Sequence, residues 1–273
     1  MILGADVEAL SPAWLAAECP EAARAPMRDV LLSRAPLWLR LQGPDPAAAL
    51  SEFDRLGWAW RRSPLLAGAV ELPAGADVVK TKAYLGGVRP GGQWLDACAG
   101  AGGKALQLAV MLGAAGSVTA RDPRRAALEQ LAARATRAGL EGRIRIGSGA
   151  EPRHGYDGVL VDAPCSGSGT WRRAPHLRWV TSPSSLRAAA ALQRRLLQEN
   201  APRVRAGGLL VYATCSLCRS ENESVAEAFL SGNPGFVPEI VGRRLEPQAH
   251  DGDGFFVASF RRTLAGGPLS SRP

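Results

Sequence analysis

From Pro90 onward the chain alternates short apolar runs with amphipathic stretches, and this alternation constrains the fold more than any other feature. Residues 94–98, 118–121, 143–146, 158–162, 209–213 and 255–260 have the length and the aliphatic or aromatic content of buried strands. Between them, residues 104–112, 123–138, 184–205 and 223–230 carry apolar side chains at helical spacing, with Gly139 and Gly207-Gly208 as stops. A helix after each strand returns the chain to the edge it left, so successive strands lie parallel. The pattern therefore predicts an α/β fold: a mostly parallel sheet with helices on both faces.

The region before it reads differently. Ser11-Pro12 opens a short helix that stops near Pro20, and residues 37–41 alternate like a strand. Asp45-Pro46 starts a helix with Leu50, Phe53 and Leu56 on one face, and residues 58–72 are extended. This predicts a small α+β N-terminal domain at 1–75, the α/β domain at 76–263, and a disordered tail at 264–273. With 46% hydrophobic and 21% charged residues, the chain is neither disordered nor fibrous. Its five cysteines are too few for a disulfide scaffold, and their odd number fits reduced thiols. No basic leader opens the sequence, so a cytoplasmic protein is expected. The most apolar stretch, residues 105–120, is interrupted by Gln107, Gly113 and Gly116 and falls short of the ~20 apolar residues that span a bilayer. No membrane role is expected. The net charge of +8 favours a polyanionic partner.

In such a sheet, ligands bind beyond the carboxyl ends of strands. Gly100-Ala101-Gly102-Gly103 lies between the first core strand and its helix, where free backbone N–H groups attract a carboxylate or phosphate. Asp122 follows the next strand and suits either a ribose diol or a helix cap before Pro123. Gly100, Gly102 and Ala105 also satisfy the loose dinucleotide fingerprint, so a nicotinamide oxidoreductase remains an alternative here.

Two further strand ends carry thiols. One strand runs into Asp162-Ala163-Pro164-Cys165-Ser166-Gly167, the next into Thr214-Cys215-Ser216. Parallel strands place both ends at the edge that holds the glycine loop, where loops carry function. Cys215 and Cys218 form C-x-x-C, but no second ligand pair stands at suitable spacing, so no metal is expected.

Together these motifs resemble the Sun/Nop-type (RsmB-like) family of RNA cytosine-5 methyltransferases. Asp96-Ala97-Cys98-Ala99-Gly100-Ala101-Gly102-Gly103-Lys104 is similar to its cofactor motif, and Asp162 to Gly167 matches its Asp-Ala-Pro-Cys-Ser-Gly motif in full. Thr214-Cys215-Ser216 with Glu221-Asn222-Glu223, and Gly254-Phe255-Phe256-Val257-Ala258, resemble its later motifs. The likeness covers about residues 92–262. It implies a class I (Rossmann-like) methyltransferase that uses S-adenosyl-L-methionine to make 5-methylcytosine in RNA, ribosomal RNA before transfer RNA, as a monomer without metal.

The resemblance also implies roles. Cytosine C5 is a weak nucleophile until a thiolate adds to C6, so one cysteine must attack and a base must complete release. Cys215 would attack, Cys165 would assist release, and Asp162 would hydrogen-bond the amino/N3 edge of the base and border the cofactor. Cys98, Ala99, Gly100, Ala101, Gly102, Gly103, Lys104 and Asp122 would line the cofactor, with Lys104 either a positioning group or a solvated first-turn lysine. Arg172, Arg173, Arg178 and Trp179 follow the Asp162 motif and would hold RNA by guanidinium–phosphate contacts and stacking. Gly149 and His176 stand where the family carries aspartates, and the segment before Pro90 is short. A catalytically inactive RNA-binding factor on the same fold is therefore the other alternative.

Overall fold

The computed structural model describes residues 10–33, 35–41, 46–55, 59–63, 68–72, 91–147 and 152–264. Two short helices, α1 (Leu15–Glu18) and α2 (Met27–Leu32), come first. Then β1 (Leu37–Arg40), α3 (Pro46–Arg55), β2 (Arg61–Arg62) and β3 (Ala69–Leu72) form a small unit whose antiparallel sheet has the order β1-β3-β2. Leu50 and Phe53 of α3 pack with Val70, as their spacing requires. Leu56 and the boundary expected near residue 76 lie outside the described residues.

The N-terminal region does not share one core. Leu15, Cys19, Met27 and Leu31 of the first two helices pack with Trp171 and Leu217 of the following α/β body. Helices of four and six residues are too short to hold by themselves, so they persist only against a larger apolar surface.

The α/β body contains β4 (Gly92–Asp96), α4 (Gly103–Leu112), β5 (Gly116–Ala120), α5 (Arg125–Arg137), β6 (Ile144–Ile146), β7 (Tyr156–Asp162), α6 (Leu177–Val180), α7 (Pro183–Asn200), β8 (Val204–Thr214), α8 (Glu223–Gly232), β9 (Phe236–Leu245), α9 (Pro247–His250) and β10 (Phe255–Arg262). Seven described strands form one sheet in the order β6-β5-β4-β7-β8-β10-β9. The first five are parallel, and β10 runs antiparallel to both its neighbours. One apolar layer, with Leu108 and Leu131, covers one face; another, with Leu197 and Phe229, covers the other. The chain steps outward from β4 to β6 and then crosses back to β7. The switch point of the sheet thus falls between the carboxyl ends of β4 and β7.

Two boundaries differ from the sequence reading. The long helix ends at Asn200, not Arg205, because Pro202 follows in a single 3-10 turn. Strand β8 begins at Val204, and Gly207, at φ +73°, lies within it rather than stopping a helix. The pairing with β7 slips there, from Tyr156↔Val204 to Gly158↔Leu209, so the glycines accommodate a bulge. Strand β9 was not anticipated: Pro238, Gly242 and the two arginines before Leu245 conceal an edge strand behind a weak apolar pattern. The expected tail, apart from Leu264, lies outside the described residues.

Candidate active site

The turn after β4 is built on glycines with positive φ, +53° at Gly100 and +85° at Gly102. A Cβ at Gly102 would lie 2.5 Å from Leu131 Cγ, so only glycine lets α5 pack against the loop. No side chain caps the start of α4, which leaves its first N–H groups facing the switch point. Asp122 does not cap α5. Its Oδ2 accepts from Gly100 N–H at 2.9 Å, its Oδ1 accepts from Arg124 N–H at 2.9 Å, and the Arg124 guanidinium reaches both oxygens. These hydrogen bonds, the Arg124 side chain's foremost, hold the carboxylate pKa below its ordinary value.

Across the switch point, Lys104 Nζ meets Asp162 Oδ2 at 2.5 Å and sits 5.3 Å from the centre of the Phe255 ring. Lys104 is therefore not a solvated first-turn lysine. Asp96, at the end of β4, is fully buried. Its Oδ1 accepts from Cys98 N–H at 3.3 Å and its Oδ2 has no hydrogen-bond partner. Burial, then the nearby Asp162 charge, raises its pKa to about 7, against the pull of Lys104.

β7 and β8 pair in parallel with Asp162 opposite Ala213, so their terminal loops leave the sheet side by side. Cys165 Sγ and Cys215 Sγ are 3.4 Å apart. The hydrogen bond with Cys215 and then burial push the Cys165 thiol well above its ordinary value. Burial raises Cys98 and Cys218 to about 12, and raises Cys19 as well, which keeps those thiols protonated. Cys218 meets the Ser168 hydroxyl at 3.5 Å rather than joining Cys215.

The two thiol loops share one buried anchor whose role the sequence reading did not assign. Glu221 Oε1 accepts from Ser166 N–H at 2.9 Å and Gln193 Nε2 at 3.1 Å; Oε2 accepts from the Ser166 hydroxyl at 2.6 Å and the Ser216 hydroxyl at 2.5 Å. Gln193 also donates to Pro164 O at 2.9 Å. Asn222 accepts from the Thr214 hydroxyl at 2.6 Å and donates to Ser216 O at 2.9 Å. A signal for Gln193 existed: it is a polar residue midway along the buried α7 stripe Leu186, Ala190, Gln193, Leu197, Asn200.

The arginines expected at the RNA need correction. The Arg172 side chain is only 3% exposed and pairs with Asp251 at 2.9 Å. Arg178 is buried, 5.1 Å from the Trp171 ring, and donates to Leu31 O at 3.2 Å; burial lowers its pKa. Both guanidiniums are committed inside the protein, Arg172 to Asp251 and Arg178 to Trp171 and the end of α2. Arg173 is half-exposed and paired with Asp253. Trp179 is 60% exposed. His176 leads into α6 without a side-chain cap, and Gly149 lies outside the described residues. Among the described residues no group of three His, Cys, Asp or Glu is arranged to hold a metal, and no helix is long and apolar enough to cross a membrane.

A Rossmann-like sheet of this strand order, with a glycine loop and two carboxylates at its switch point, is that of a class I methyltransferase. A methyltransferase homolog protein from Pyrococcus horikoshii aligns with 90% of the chain and 92% of its own, at TM-score 0.69 and 23% identity. The crystal structure of NSun6 from Pyrococcus horikoshii with SFG aligns with 89% of the chain and 94% of its own, at TM-score 0.73 and 17% identity. At those identities the likeness shows the fold alone. The sequence profile of the 16S rRNA methyltransferase RsmB/F family matches residues 84–261, and the chain belongs to that family. This membership removes the nicotinamide reading of Gly100, Gly102 and Ala105. Ribosomal RNA small subunit methyltransferase B of Cronobacter sakazakii is 32% identical over 236 residues, covering 82% of this chain and 52% of its own length. That of Salmonella arizonae is 32% identical over 231 residues, 81% of this chain and 50% of its own. The chain thus spans about half the length of the curated relatives it matches.

Proposed function

We propose that this chain is an S-adenosylmethionine-dependent RNA (cytosine-5) methyltransferase acting on ribosomal RNA. The observation that carries the reading is the thiol pair, 3.4 Å between sulfurs, beside the Lys104–Asp162 pair at the switch point. The family and its relatives' names support RNA methylation as the activity and ribosomal RNA as the substrate.

The residues present fit the cofactor. The uncapped start of α4 leaves backbone donors open, while the unpartnered Asp96 Oδ2 is an acceptor suited to an ammonium group. Asp122 is the acidic residue at the second strand end, where a ribose diol is bound in this class of sheet. When bound, S-adenosylmethionine supplies an electrophilic methyl group.

The chain's own groups supply the rest. Cys215 is the nucleophile that adds to C6 of cytosine, which turns C5 into an enamine-like carbon. For release a base, such as solvent water, takes the C5 proton, the C–H electron pair re-forms the C5–C6 double bond, and Cys215 leaves as a thiolate with Cys165 adjoining that sulfur. Asp162 accepts from the amino edge of the base, with Lys104 fixing its carboxylate. Trp179 offers a ring for stacking, and Arg173 is the motif arginine still within reach of RNA.

The test is transfer of labelled methyl groups from S-adenosylmethionine to small-subunit ribosomal RNA, with the product base identified after digestion. 5-Methylcytosine is expected. A different methylated base, or none in RNA the protein binds, would overturn the reading.

A further inference from the structure

A cavity of about 510 Å³ opens on the sheet edge opposite the thiols, where β7, β8 and β9 begin and β10 ends. Arg153, His154, Gly155, Arg205, Ala206 and Arg262 are among its walls. β7 is seven residues long, which puts this edge about 20 Å from the catalytic one.

The charges here are unequally compensated. Arg205 is neutralised by Asp157, with Nε 2.7 Å from Oδ1. Arg262 Nη1 donates to Pro202 O at 3.1 Å and to Val204 O at 2.5 Å, which fixes the guanidinium without cancelling its charge. Arg153 is exposed, and no described carboxylate pairs with it. Gly155 holds the rim tight: at φ +80°, a Cβ there would lie 2.7 Å from Arg203 O. A concave site with two guanidiniums that no carboxylate among the described residues compensates selects an anion, and their planar donor forks match phosphate. The volume exceeds a lone phosphate and suits a nucleotide-sized fragment.

We infer that this cavity binds a phosphodiester of the RNA substrate, remote from the base that is methylated. The inference rests on RNA being the substrate and adds a second contact point to it.

The test is the salt dependence of binding to a small-subunit ribosomal RNA transcript. Arg153→Ala should lower the slope of log K against log salt by about 0.7–0.9, and weaken binding about sixfold at 0.1 M salt with the loss fading toward 1 M. Arg153→Lys should restore the slope, and S-adenosylmethionine affinity should not change. Arg195→Ala removes an exposed charge on α7 that is paired with Glu199 and should leave the slope as it was. An unchanged slope in Arg153→Ala, or an equal fall in Arg195→Ala, overturns the inference. A parallel titration with inorganic phosphate separates the sources: weaker phosphate binding in Arg153→Ala with an unaltered RNA slope means a free-anion site and also overturns it. If the wild-type protein shows no salt-dependent RNA binding, the RNA reading itself fails and takes the cavity's role with it.

Discussion

Cys165 Sγ stands 3.4 Å from Cys215 Sγ, although 50 residues separate them in the chain. The pairing follows from β7 and β8 lying side by side in parallel, which brings both terminal loops to one edge. The bond to Cys215 and burial raise the Cys165 thiol above its ordinary value, and under the proposed mechanism Cys215 makes the bond to C6 while Cys165 acts at release. Cys215→Ala should therefore abolish both methylation and any covalent protein–RNA species. Cys165→Ala should still add to the base and accumulate as an adduct. A denaturing gel of each variant with labelled RNA and S-adenosylmethionine reads both outcomes, and an adduct confined to Cys215→Ala would reverse the roles.

Glu221 offers a way to disturb both loops without touching a thiol. Its carboxylate accepts from Ser166, Ser216 and Gln193. Glu221→Gln puts an N–H₂ group among donors, so a loss of about 1–3 kcal/mol in stability is expected. Methyl transfer should slow at least tenfold while S-adenosylmethionine affinity holds, since the hydrogen bonds of Glu221 run to Ser166, Ser216 and Gln193 and not to the glycine loop. Denaturant unfolding and steady-state kinetics test it. Loss of cofactor affinity matching the loss of rate would count against a role confined to the thiol loops.

Asp96 predicts a pH dependence of stability. Its folded pKa of about 7 lies above the ordinary 3.8, so the native state holds a proton the unfolded chain has released. The stability gained from that proton is complete below about pH 4 and is lost as pH rises through 7. Asp96→Asn carries no such titration. Its melting temperature relative to wild type should therefore improve from pH 5 to pH 8, and an equal gap at both pH values would contradict the burial argument.

Gly102 tests the loop itself. An alanine there meets Leu131 Cγ at 2.5 Å and must adopt φ +85°, a conformation that costs about 1–2 kcal/mol before the clash is counted. Gly102→Ala should weaken S-adenosylmethionine binding at least tenfold, as measured by calorimetry. Adding Leu131→Ala relieves the clash but not the backbone conformation, so affinity should return only in part. Full recovery would mean that packing alone demands the glycine.

Much of this protein was legible before any coordinate. The alternation of runs after Pro90 determined the parallel sheet, since apolar period and length set element type locally. The motifs at Asp96–Lys104, Asp162–Gly167 and Thr214–Ser216 placed the candidate site, since parallel strands must end together. Edge strand β9 and the bulged start of β8 stayed hidden, because Pro238, Gly207 and Gly208 break the local pattern while neighbouring strands supply the pairing. Side-chain commitments were hidden for the same reason. Arg173 and Asp253 lie 80 residues apart, Arg178 and Leu31 lie 147 apart, and nothing near a guanidinium in sequence says whether a distant partner will bury it. Residue type set what each group can do. The tertiary packing decided which arginines were committed inside and which two sulfurs met, because burial and partners are properties of the assembled fold.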